Sequence, residues 1–213
     1  MTDTIEPKRT KWGKLAKQLL GGGILGAFCG YFGTEQLIRA EATADQAAVI
    51  GVGIVYLLMA LLCAAGLALP KLGAKMLNVE DEEELQEQRR VLTGSSIAMA
   101  AIGIAMVLLG AAEKGGWVSP VAALDALLIA FALSIIITWR DWKYYDELML
   151  QVSRDAGNFA FIGVGSAIML WSAAAHLGFV DPLSPLMLVA LITGGMLLAV
   201  FIAAGLRGML HPR

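Results

Sequence analysis

Residues 47–69 read AAVIGVGIVYLLMALLCAAGLAL, an uninterrupted run without a single charged side chain. A helix at the surface of a soluble domain keeps one apolar stripe and one polar face. This run is apolar all round and matches the ~20 residues needed to cross the hydrocarbon of a bilayer. It therefore reads as a transmembrane helix. Working outward, five further stretches of similar length and character fall at 19–38, 95–113, 119–139, 158–178 and 183–206. The first is the weakest, because it is glycine-rich and closes on Glu35 and Arg39.

Composition points the same way. The chain has 213 residues, of which 58% are hydrophobic and 16% charged, and its mean hydropathy is +0.70. Soluble domains average roughly 45–50% apolar and about 25% charged, so the excess here has to face lipid. The net charge of −2 gives no pull toward nucleic acid.

Basic residues set the orientation. Lys8, Arg9, Lys11, Lys14 and Lys17 precede the first span; Lys71, Lys75, Arg89 and Arg90 follow the second; Arg140, Lys143 and Arg154 follow the fourth; Arg207 and Arg213 close the chain. A six-span arrangement puts these fourteen of the sixteen basic residues on one side, leaving Arg39 and Lys114 opposite. The positive-inside rule then places both termini in the cytoplasm, and the strong charge asymmetry with no N-x-S/T site fits a bacterial inner membrane. Ala40-Glu41-Ala42 resembles a signal-peptide cleavage site. Glu35 and Arg39 separate it from the apolar run, so residues 19–38 read as a retained span.

The expected fold is an all-α integral membrane protein, a six-transmembrane-helix bundle. Residues 1–18 form a basic cytoplasmic segment, 19–206 the transmembrane domain with cytoplasmic helical loops at about 70–94 and 140–157, and 207–213 a cytoplasmic tail. Gly22, Gly26 and Gly30 repeat at spacing four, as do Gly195, Ala199 and Ala203. Such small-residue stripes allow close helix packing, within one chain or in a homodimer. Trp139, Trp142, Tyr144 and Tyr145 at one end of the fourth span, and Trp117 at the other, read as headgroup-level anchors.

Between the second and third spans lies EDEEELQEQRR, residues 80–90. Asn78 can cap a helix whose acidic start suits the helix dipole and which runs on into the third span. The next cytoplasmic loop carries Trp142, Tyr145, Leu148 and Val152 at helical spacing, an amphipathic pattern. The two loops align without a gap: Glu84-Leu85, Gln88 and Gly94 match Glu147-Leu148, Gln151 and Gly157. An even number of spans separates them, which is consistent with three helical hairpins in a weak parallel repeat.

Candidate functional residues fall into two groups. Glu83, Glu84, Glu87, Arg90, Glu147, Gln151 and Arg154 form a surface for a soluble cytoplasmic protein. Asp125, the one ionisable group well inside a span, lies toward the side that carries Glu113, Lys114, Glu35 and Arg39, as a structural pair or an ion relay. Cys29 and Cys63 sit in apolar runs and read as buried thiols, without metal or disulfide. Ser166 and His176 are ten residues apart on one helix, or ~15 Å, too far to act together. No sequence signature of a cofactor, metal or catalytic site is present. The expectation is a non-enzymatic regulatory, sensory or assembly component, with a small transporter or channel using Asp125 as the alternative.

Overall fold

In the computed structural model the chain is described over residues 42–69, 82–112 and 118–207. The elements are α1 (Ala44–Ala68), α2 (Glu82–Gly110), α3 (Pro120–Asp141), a 3₁₀ turn (Trp142–Tyr144), α4 (Glu147–Phe159), a π-helical segment (Ala160–Val164), α5 (Gly165–His176) and α6 (Pro185–Leu206). The protein is an all-α bundle. Its described residues contain five helices long and apolar enough to cross a membrane, with α4, the π segment and α5 forming one of 30 residues. The expected span at 19–38 lies outside the described residues, so five of the six expected spans are seen.

The helix starts follow from local chemistry. Thr43 and Gln46 form a reciprocal capping box at α1: the Gln46 amide donates to Thr43 Oγ1 and the Thr43 amide to Gln46 Oε1. Ser119 and Ser184 cap α3 and α6, each followed by a proline at the first helical position, where the missing N–H has no partner to lose. Asp146 caps α4 by accepting from the Met149 amide at 2.6 Å. As expected, a single helix, described from Glu82 in the acidic run, continues into the apolar stretch; the expected cap at Asn78 lies outside the described residues. The second loop helix is also continuous with its span, across the π segment.

Packing runs from α3 to α2 to α1, then from α1 to α6, and from α6 to α4 and the π segment. The α1–α2 crossing rests on two glycines. A Cβ on Gly103 would lie 2.8 Å from the Gly53 carbonyl oxygen, and one on Gly53 would lie 2.9 Å from that of Gly103. Backbones this close exchange dispersion contacts that a larger residue would prevent. Val49, Met106 and Ala190 form the core where α1, α2 and α6 meet. Polar side chains within the bundle are paired: Ser96 Oγ donates to the Ala60 carbonyl at 2.9 Å and Tyr56 Oη to the Thr193 carbonyl at 3.0 Å. Cys63 is buried and its thiol points at the Leu92 carbonyl.

The outside is as apolar as the inside. Trp139 and Phe161 are each 83% exposed, and no residue of α5 is buried. Apolar surface on this scale belongs against lipid.

Candidate functional site

The start of α2, the end of α3 and the start of α4 meet at one end of the bundle, here termed the charged end. The stripe of α3 that packs inward is Ala123, Ala130, Ile137 and Asp141. The first three are apolar. The fourth is a carboxylate only 1% exposed.

Asp141 is held from two helices. Arg140 grips both of its oxygens, Nε to Oδ1 and Nη2 to Oδ2, each at 2.8 Å. Arg90 on α2 adds a third bond from Nε to Oδ1 at 3.1 Å. A carboxylate at a helix C-terminus opposes the helix dipole, and its burial carries a desolvation penalty. Charge-assisted bonds from two guanidinium groups offset both. Gly94 makes room: a Cβ there would stand 2.5 Å from Asp141 Oδ2 and 2.9 Å from Ile137 Cγ2.

Arg90 also binds the turn after α3. Its Nη1 donates to Tyr144 Oη at 3.0 Å, and its guanidinium carbon lies 4.3 Å from the centroid of that ring. Lys143 Nζ is 5.2 Å from the same ring. Trp142 and Tyr145 have ring centroids 6.0 Å apart. Burial, and then the Asp141 carboxylate, pushes the Tyr145 hydroxyl up from its ordinary value. Of the aromatic residues expected to serve as headgroup anchors, Tyr144 ties the α3–α4 connection to α2 through Arg90.

A second tie holds α4. Arg207, just past α6, donates from Nε to Asp155 Oδ2 at 2.8 Å and from Nη1 to Gln151 Oε1. The two loops thus use different chemistry at equivalent places. Gly94 is pressed against α3, whereas the aligned Gly157 faces open space.

The expected partner surface divides accordingly. Arg90 and Gln151 are engaged within the chain. Glu87, Glu147 and Arg154 are exposed at the charged end, and Glu83 and Glu84 fall in the first turn of α2. Asp125 is on the exposed side of α3, away from the α2 contact, and makes no ion pair among the described residues. Glu35, Arg39, Glu113 and Lys114, its expected neighbours, lie outside the described residues, as do Gly22, Gly26 and Gly30. The other small-residue stripe is used internally. Ala199 and Ala203 are buried, and a Cβ on Gly195 would strike Val164 of the π segment. Among the described residues no group of three or more His, Cys, Asp or Glu side chains could hold a metal ion.

Asp141 and Arg207 were not singled out by sequence reasoning. The signal for Asp141 was available, because it continues the stripe of Ala123, Ala130 and Ile137 at helical spacing.

No protein-family model, curated protein or solved structure matches the chain.

Proposed function

We propose that this chain is a non-enzymatic, multi-pass protein of a bacterial inner membrane, with six spans and both termini in the cytoplasm. It acts as a regulatory, sensory or assembly component by presenting its charged end to a soluble protein. The observation that carries the reading is the double tethering of that end. Arg90 and Arg140 fix the α3–α4 turn through Asp141, and Arg207 fixes α4 through Asp155 and Gln151. These ties hold Glu87, Glu147 and Arg154 exposed on ordered helices, and a pre-organised surface loses less entropy on binding than a mobile loop does.

A parallel hairpin repeat fits this arrangement. The α2–α3 and α4/α5–α6 pairs each begin with a polar helix start at the charged end, and each second helix opens on Ser-Pro. A homodimer would need surfaces other than the Gly195–Ala199–Ala203 stripe.

Charge reversal tests the proposal against the transport alternative. Glu83→Lys with Glu84→Lys should abolish capture of the soluble protein, while Asp125→Asn leaves it intact. Loss of ion flux in proteoliposomes on Asp125→Asn, with capture unaffected by the reversals, would favour a transporter.

A further inference from the structure

The 30-residue helix Glu147–His176 is interrupted once, by the π segment Ala160–Val164. A π turn closes i→i+5, takes up one extra residue, and often marks a functional site. The reason for it here lies in the side chains. Ala156 is buried, Ala160, Val164 and Ile168 are partly buried, and every other residue from 157 to 170 is exposed. That spacing of four drifts by about 40° per step in an α-helix, or about 120° from Ala156 to Ile168. One extra residue turns the chain back by about 100° and brings the four into line. At Val164 the line meets α6 at Gly195, where a Cβ would strike the Val164 side chain.

The same sequence fits α6 in a second register. In an uninterrupted α-helix read on from Ala156, Gly163 and Ala167 would take that line, and Val164 would stand about 80° away from it. Gly163 would then face α6, and two small residues let backbones approach closely. The two ends of the long helix are tied differently. Arg207 holds α4 to the end of α6 through Asp155 and Gln151. α5 packs substantially on the π segment alone among the described elements. Its outer end is held to the following loop by one bond, from Trp171 Nε1 to the Asp181 carbonyl at 3.0 Å.

We propose that the π segment is a register switch. With α4 fixed by Arg207, α5 turns by about one residue's rotation, ~100°, between a π register that sets Val164 against α6 and an α register that sets Gly163 and Ala167 there. The turn carries Trp171 away from Asp181, so it links the outer loop at residues 177–184 to the charged end. A ligand of that loop, or a force on α4, shifts the equilibrium by its differential affinity for the two registers. The switch stands whether or not a soluble protein docks at the charged end, because it uses neither Glu87 nor Glu147.

The test is fluorine NMR of the full chain carrying fluorotryptophan, in mild detergent, with the Trp171 signal assigned by its loss in Trp171→Phe. Gly195→Ala puts a methyl where Val164 sits, so it should drive α5 into the α register and move the Trp171 signal. The escape should keep the unfolding midpoint within about 2 °C of wild type. Deletion of Ile162, whose side chain is exposed, removes the extra residue and leaves Val164 in line within an ordinary α-helix. This variant should fold and keep the wild-type Trp171 signal. With no second register to enter, it should answer Gly195→Ala with an unmoved signal and a midpoint lowered by roughly 2–10 °C, as overpacking requires. An unmoved Trp171 signal in Gly195→Ala of the full-length helix would overturn the proposal. So would equal midpoint losses in the two backgrounds, or a deletion variant that does not fold.

Discussion

Gly94→Ala and Gly157→Ala are the same substitution at aligned positions of the two loops, and the structure gives them opposite signs. At Gly157 nothing lies within 4 Å of the added methyl. The change should therefore gain the helix-propensity difference, up to about 1 kcal/mol. At Gly94 the methyl would sit 2.5 Å from Asp141 Oδ2 and 2.9 Å from Ile137 Cγ2. Asp141 cannot step aside, because Arg140 and Arg90 hold both of its oxygens. Overpacking of this kind costs about 1–3 kcal/mol, and displacing α3 far enough to break the buried pair adds up to ~3–5 kcal/mol. After the propensity gain is subtracted, overpacking alone leaves a net loss of about 1–2 kcal/mol, or roughly 2–8 °C in unfolding midpoint, and any rupture of the pair deepens it. The assay is thermal loss of folded protein in mild detergent, with both variants beside wild type. A Gly94→Ala midpoint equal to or above wild type would refute the clamp.

Three further outcomes follow from other contacts. In a double-mutant cycle of Arg90→Ala and Asp141→Asn, the coupling should be about 1.5–3 kcal/mol, the strength of a charge-assisted bond to a buried group; additive losses would mean the pair does not act as one. Gly103→Leu should prevent folding, seen as loss of monodisperse protein on gel filtration, since its side chain would enter the Gly53 backbone; a folded variant would show that the helices can separate at that crossing. Arg207→Gln should leave the midpoint within about 1 kcal/mol of wild type, as partly exposed ion pairs do. It should nevertheless speed amide exchange in Glu147–Phe159, where Asp155 and Gln151 lose their tie; unchanged exchange there would dispose of the tether.

Legibility in the sequence tracked how far each signal is local. Membrane helices were readable because length and apolarity sit within one segment, and α1, α3 and α6 fall within a few residues of the expected spans. Helix pairing was not. The glycines that attracted attention were evenly spaced, Gly22, Gly26 and Gly30, whereas the crossing that joins α1 to α2 uses Gly53 and Gly103, related only in three dimensions. The amphipathic helix was placed correctly but not its first residue. Trp142 belongs to the 3₁₀ turn, and the side of α4 that lines a crevice against α2 and α6 carries Met149, Val152 and Ala156 rather than Leu148. Asp141 was overlooked for a physical reason: in Arg140-Asp141-Trp142-Lys143 the charges look like a solvated loop. Only the position of α2 turns one of them into a buried acceptor.

The central claim is that the charged end is a fixed surface for a soluble protein. Its most direct test is photocrosslinking in intact cells from Glu84 and Glu147, with Asp181 at the opposite end of the bundle as a control. The account predicts that one and the same soluble protein is captured from Glu84 and Glu147, and not from Asp181. Capture of only lipid and the chain itself from both positions would contradict it.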